Sequence, residues 1–301
     1  MDSDYDYSAI KEAGHISYEA LKYAKGVVKE GASVLEAAER IEKFIMEKGA
    51  LMAFPVNISI NKNAAHYTPK FGDTLRFSEG DVVKIDVGAR KREYLGDCAE
   101  TVDLSGEWAG LVEACEEALE AAISLVKAGR EVRDIGREIE NIAKKRGIAP
   151  IKNLGGHGVE RDDLHASVFI PNFDNGDSTR LEEGQVIAIE PFMTNGSGYV
   201  SDGEDVEIFQ KNGNANSRLA DTREISAFID ESYSTYPFAT RWLVDKFGAA
   251  SEFKVRRALN DFARLGILES FPVLVERKGG MVAQAEKEMV VQKDSCEVIT
   301  A

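Results

Sequence analysis

A chain of 301 residues, 44% of them apolar, can bury a substantial core as one large domain or two smaller ones. Its formal net charge of −15 disfavours general affinity for nucleic acid or anionic membranes. Cys98, Cys115 and Cys296 are widely spaced and form no CxxC pair, which argues against a disulfide framework or a thiolate zinc site and points to a reducing interior. The opening MDSDYDYSAIKEAG lacks the basic start and apolar centre of a signal peptide, and no run of about 18 apolar residues occurs, so a soluble, cytoplasmic protein is expected.

Apolar spacing predicts helices from Ser8 to about Glu30 and from Val34 to about Lys48, with Gly31 and Gly49 as stops. FPVNISINKNAAHYTP, from Phe54, reads as a short strand running into a loop that carries His66. Two alternating, β-branched runs between Gly80 and Asp103 predict a hairpin around Arg90-Lys91-Arg92-Glu93. A turn centred on Lys91-Arg92 places Asp86 directly opposite Asp97. Like charges in that position are destabilising unless a cation lies between them, and no Lys or Arg is locked into that role. A pair of metal ions would satisfy both carboxylates. Helical spacing resumes over Glu107–Lys127 and Val132–Lys145, and NLGGHGVERDDLHASVFIP then brings His157 and His165. Glu190 ends a Val/Ile run and is followed by the Gly-rich loop TNGSGYVSDGED and the polar segment QKNGNANSR. Short helices with their own apolar stripe fill about 220 to 270, and strand pattern returns at FPVLVE and at MVAQAEKEMVVQ, which carries Glu286.

The two blocks use one plan. GASVLEAAERIEKFIMEKG, from Gly31, aligns without gaps on GREVRDIGREIENIAKKRG, from Gly129, and FSEGDVVKID, ending at Asp86, aligns on LEEGQVIAIE, ending at Glu190. Asp97 and Glu286 fall on the following strands. A duplicated half that supplies acids from each copy places a site on a pseudo-twofold axis. Acids within Val/Ile runs must be paired if buried. Oxygen-rich sites with one imidazole suit Mn, Fe, Co or Zn, and two ions sharing bridging carboxylates support hydrolysis. Glu100, Asp103 and Asp202 read as solvated acids, His15 as structural or exposed, and Cys98 as a core thiol.

The motifs AFPVNIS, AAHYTP, KIDVGA with YLGDCAETVD, GGHGVERDDLHASVFIPN, AIEPF and VAQAEKEMVV resemble, in order and spacing, those of the type 2 methionine aminopeptidases, over nearly the whole chain. The start at the first catalytic helix resembles the archaeal form. The resemblance implies an α+β, duplicated pita-bread fold, with antiparallel sheets covered by helices. Residues 1–209 and 272–301 would form the catalytic domain and 210–271 the inserted helical subdomain. It implies two divalent ions (Co, Mn, Fe or Zn), with Asp86 on one, His157 and Glu190 on the other, and Asp97 and Glu286 bridging. A bridging hydroxide would attack the carbonyl of an N-terminal Met, with Glu190 shuttling the proton to the leaving amine. His66 and His165 would flank the scissile peptide and Phe54 would line the methionine pocket, with a small second residue preferred. Nascent polypeptides and transient ribosome contact are the implied partners, without specific nucleic acid or membrane, for a monomer. The family pattern has Thr where this chain has Glu288, and strand alternation puts Glu288 on the side of Glu286, where it would crowd the site and alter metal affinity.

Other readings compete. Prolidase and aminopeptidase P share these motifs but carry a large domain before them, whereas only about fifty residues precede Phe54 here. A binding protein with a degenerate site would use Arg241, Lys246, Lys254, Arg256, Arg257 and Arg264 as a basic face. The complete ligand set opposes it.

Overall fold

Two α/β halves meet edge to edge in one nine-stranded antiparallel sheet, seen in a computed structural model that describes residues 6–212 and 220–301. Most of the QKNGNANSR segment lies outside the described residues. The sheet runs Leu51–Met52, Val82–Lys91, Tyr94–Asp103, Glu286–Val291, Val186–Ile189, Gly155–Glu160, Asp163–Pro171. Asn57–Ile60 adds beside Val82–Lys91, and Cys296–Val298 beside Glu286–Val291. Helices Tyr7–Val27 and Val34–Glu47 cover the first half, and Ala109–Ile123 and Val132–Arg146 the second. Each buries an apolar stripe at helical spacing, such as Val34, Ala37, Ala38, Ile41 and Ile45. Local chemistry sets their starts: the Asp6 carboxylate accepts the N–H groups of Ser8 and Ala9, and the Ser33 hydroxyl accepts that of Glu36. Asp103, read from sequence as a solvated acid, accepts the N–H groups of Ser105 and Trp108 ahead of the third helix.

The duplication extends to individual hydrogen bonds. Arg76 donates to Gly31 O (2.7 Å) and Arg180 to Gly129 O (2.9 Å). The Gly31 N–H reaches Phe77 O at 2.8 Å and the Gly129 N–H reaches Leu181 O at 2.7 Å. Bridges Ser33↔Arg76 and Glu131↔Arg180 complete the pattern. In both halves an arginine latches the loop before the second helix onto the chain that leads into the acid-bearing strand.

The hairpin register differs from the sequence expectation. Lys91 pairs with Tyr94, so the turn is Arg92-Glu93, and Arg92 takes the positive φ of 56° that a tight hairpin turn with the right twist demands at its first residue. Asp97 therefore lies opposite Gly88, and Asp86 opposite Ala99. The slip is two residues, which preserves the face: Asp86 and Asp97 are diagonal neighbours on one side of the sheet. Ala99 in turn pairs with Glu286, which brings a third acid onto that face.

Beyond Val200 the chain builds a second layer. Strands Val200–Lys211 and Leu268–Glu276 pair with each other and with Phe238–Ala239 and Asn63–Ala65. Helices Ala220–Ser232, Thr240–Phe247 and Glu252–Arg264 pack on them around Phe238, Leu243, Val255, Leu259 and Phe262. The basic-face reading fails here. Arg241 is 1% exposed, pairs with the buried carboxylate of Glu42, and donates to Thr68 Oγ1 (2.6 Å) and Pro69 O (3.3 Å). Arg256 is engaged by Glu207 and Glu252. Glu42 also accepts the Trp242 indole N–H at 3.0 Å and the Val56 N–H at 3.4 Å. One carboxylate on the second helix thus joins that helix, the loop after Phe54, and the inserted layer. No described helix is long and apolar enough to cross a membrane.

Removing one partner of such a pair leaves the other charge buried and uncompensated. Glu42→Ala should cost about 3–5 kcal/mol in urea unfolding, and Glu42→Leu/Arg241→Met should recover most of it.

Candidate active site

The acids converge because every strand that carries one ends or crosses at the seam between the halves. Asp86 and Asp97 come from the first hairpin, Glu190 follows Val186–Ile189, and Glu286 opens Glu286–Val291. His157 comes from Gly155–Glu160, whose neighbour is Val186–Ile189. Glycines flank His157 for a steric reason: a Cβ on Gly156 would lie 2.1 Å from Ala188 O, so only glycine lets the His157 strand approach.

Among the described residues, ligand-capable atoms form two clusters within 4.8 Å: Asp97, His157 and Glu286, and Asp86, Glu190 and Glu286. Glu286 belongs to both. The Gln284 amide donates to Glu190 Oε1 at 2.7 Å and to Asp86 Oδ2 at 3.4 Å, tying together one acid from each half. Asp86 Oδ1, Asp97 Oδ1 and Glu286 Oε1 are buried without a hydrogen-bond partner. Burial, countered by the Gln284 amide, pushes the Asp86 carboxyl up to about 7. Burial and then the neighbouring carboxylates push Asp97, Glu190 and Glu286 well above the usual carboxylate range. Burial holds His157 near 3, hence neutral, and its Nδ1–H donates to Gly158 O at 3.2 Å. Its Nε2 then faces Asp97 Oδ2 at 3.6 Å and Glu286 Oε1 at 3.8 Å. Orphaned carboxylate oxygens around a neutral imidazole lone pair form a donor set that fits divalent cations.

Above these groups opens a cavity of about 430 Å³, lined by Phe54, His66, His165, Ile208, Phe271 and Leu274 among others. The inserted layer thus supplies one wall. Burial lowers His66 to about 4, and its Nδ1–H donates to Pro272 O at 3.2 Å, which leaves Nε2 as an acceptor. His66 is itself held at φ 64°, a conformation uncommon for any residue but Gly. The His165 ring meets His157 edge-on at 4.5 Å between centroids. Phe54 lies over Gly88, where a Cβ would come within 2.3 Å of the ring.

Sequence reading missed Gln284 and Gly88. Alternation from Glu286 places Gln284 on the acid face, a signal that was available. Gly88 and the Pro272 carbonyl leave no such signal, because both act through close approach across long sequence distances. Glu288 enters neither acid cluster; its Oε2 accepts the Asp97 backbone N–H at 2.7 Å.

The model of metallopeptidase family M24 matches residues 8–227. A methionine aminopeptidase of Pyrococcus horikoshii is 45% identical over 98% of this chain and 99% of its own, and one of Methanocaldococcus jannaschii is 38% identical over 98% of each. The chain belongs to the methionine aminopeptidases of metallopeptidase family M24. A solved structure described as a thermophilic Arx1 has a TM-score of 0.84 at 17% identity, covering 97% of this chain and 89% of that one, which shows the shared fold. The pita-bread architecture of the family is the duplicated, helix-covered sheet described above.

Carboxyls whose folded pKa exceeds the unfolded value bind protons more tightly when folded. Stability of the metal-free protein should therefore fall as pH rises through the window from the ordinary carboxylate range to about 7, where Asp86 titrates. Melting of the metal-free chain from pH 4 to 8 should show this decline. Asp86→Asn should reduce it, and saturating Mn(II) or Co(II) should flatten it. Asp97→Ala should remain folded, lose metal and lose activity, read by metal analysis and peptide cleavage.

Proposed function

We propose that this protein releases the N-terminal methionine of polypeptides by metal-dependent hydrolysis. The observation that carries the reading is the join of a largely apolar pocket to a floor of four carboxylates and a neutral imidazole. Asp86 would hold one divalent ion and His157 and Glu190 the other, with Asp97 and Glu286 shared between them; that Glu286 belongs to both ligand-capable clusters supports this. When bound, such ions polarise a carbonyl and lower the pKa of water into the neutral range. Co, Mn, Fe and Zn all suit this donor set.

The chain's own groups do the rest. Phe54 packs on the methionine side chain. A free α-amino group would sit beside the metal floor, which makes the site an exopeptidase site, since an internal peptide brings no such group there. His66, with Nδ1 committed to Pro272 O, presents Nε2 to accept the amide N–H of the scissile region, and His165 stabilises the developing oxyanion from the rim. Glu190, poised by Gln284, carries a proton to the leaving amine. The closed wall formed by Ile208 and Phe271 favours a small second residue. Residues 210–271 form an insert upon a catalytic domain of 1–209 and 272–301; most of the apolar cluster around Phe238, Leu243 and Leu259 comes from that insert, and Phe209, Val206 and Phe71 join it to the rest. A monomer in the cytoplasm that meets nascent chains at the ribosome fits this chemistry.

The metal-reconstituted protein should release Met from Met-Ala and Met-Gly peptides and leave Xaa-Pro peptides intact. His66→Ala and His165→Ala should each lower kcat by about 100-fold or more with metal content unchanged. Cleavage of Xaa-Pro bonds alone would reassign the substrate class.

A further inference from the structure

Glu288 lies where Glu286–Val291 changes neighbours on one edge. Glu286 and Lys287 pair there with Ala99 and Cys98 of the first hairpin, but from Met289 onward the partner is the C-terminal strand, Met289 opposite Val298. The main chain of Glu288 is already committed to that tail: its carbonyl accepts the Ile299 N–H at 2.9 Å and its N–H donates to Thr300 Oγ1 at 2.9 Å. Its other edge pairs with Ala188. Asp97, the next residue of the departing hairpin strand, therefore finds no main-chain acceptor on this edge. The Glu288 side chain fills the gap, with Oε2 accepting the Asp97 N–H at 2.7 Å. Glu288 is fully buried and its Oε1 has no partner, so among the described residues no other hydrogen bond holds this carboxylate in place. A buried acid is an expensive group to keep for a backbone hydrogen bond alone. The cost makes sense where the N–H it caps belongs to a residue whose own carboxylate must be placed to a few tenths of an ångström.

We propose that Glu288 is a positioning residue for Asp97, its side chain standing in for the missing strand neighbour at the seam and fixing the Asp97 carboxylate in the cluster it forms with His157 and Glu286. The proposal rests on the reading of Asp97 as a metal ligand. Glu288 itself is not a ligand: it enters neither cluster that could hold an ion. What the position requires is a hydrogen-bond acceptor reaching Asp97 N, not a charge. Glutamine meets that requirement and leucine does not.

The test compares full-length, metal-free wild type, Glu288→Gln and Glu288→Leu. Co(II) affinity is read by titration calorimetry, the visible Co(II) spectrum reports ligand geometry, and amide exchange is read at Asp97 without metal. Wild type should protect the Asp97 amide, and Glu288→Gln should retain that protection, the spectrum and the affinity to within about 3-fold. Glu288→Leu should lose the protection, shift the spectrum and weaken Co(II) by about 10- to 100-fold, the range for loss of a group that orients a ligand. Leucine with wild-type affinity and spectrum overturns the proposal, as does a glutamine variant impaired as badly as leucine. If Glu288→Leu does not fold, rapid exchange of the Asp97 amide in wild type or in Glu288→Gln overturns it equally. Failure of wild type to bind Co(II) would instead sink the metal-site reading, and the exchange data would still decide whether Glu288 holds Asp97.

Discussion

Four carboxylates gathered on one floor, two buried and two half-buried, are the constraint to which the rest of the fold answers. Asp97 and Glu286 are buried, Asp86 and Glu190 are half-buried at the foot of the pocket, and each of the four is shifted toward its neutral form by desolvation. Such a set opposes folding and is tolerated only because the surrounding sheet is over-determined. The seam provides that determination: strands from both halves pair across it, and the arginine latches of Arg76 and Arg180 fix the entry of each acid-bearing strand. Gln284 then spans Glu190 and Asp86 with one amide. A cation satisfies what remains. The instability of the empty site and the affinity of the filled one are two statements of the same electrostatics.

The inserted layer acts on the site without touching its floor. Its strand Leu268–Glu276 supplies the Pro272 carbonyl that sets the His66 tautomer, and Ile208 and Phe271 close one side of the pocket. The layer is seated through the Arg241–Glu42 pair, whose carboxylate also accepts the Val56 N–H two residues from Phe54. A disturbance at Glu42 therefore moves the aromatic wall, the segment after His66 and the insert together. Packing of a remote helix becomes a matter of substrate fit.

Much of this was legible in the sequence, though not always for the right reason. Asp86 and Asp97 share a face because strand periodicity is two, and that inference survives a register slip of two residues, whereas a slip of one would have destroyed it. The repeat was legible because the Glu-Gly turn and the Val/Ile alternation encode a local structure that both halves build with the same hydrogen bonds. Arg241 enters the competing basic-face reading only because a charge count carries no depth: its partner Glu42 lies about two hundred residues earlier in the chain. Pro272 was invisible for a related reason, since it contributes only a backbone carbonyl. Glu288 stood out in the sequence as an extra acid, but its purpose depends on where one strand abandons another, and periodicity does not locate that point.

The two halves, once superposed by register, also differ in a way that bears on the chemistry. Asn57–Ile60 flanks the Asp86 strand as Gly155–Glu160 flanks the Glu190 strand, so Ser59, opposite Lys84, occupies the place that His157, opposite Ala188, holds in the second half. Ser59 is buried and its hydroxyl accepts the Tyr67 N–H at 3.3 Å, turned to the local chain and away from metal chemistry. Duplication alone would give two equivalent ion positions. With two ions bound as proposed, the His157/Ser59 difference would make one position mixed nitrogen and oxygen and leave the other all oxygen. A borderline imidazole donor favours later first-row metals at the first position, whereas an oxygen-only set discriminates less and binds less tightly. Occupancy should therefore be ordered, with the His157 side filling first and the Asp86 side completing the pair, an asymmetry that the symmetric scaffold does not supply.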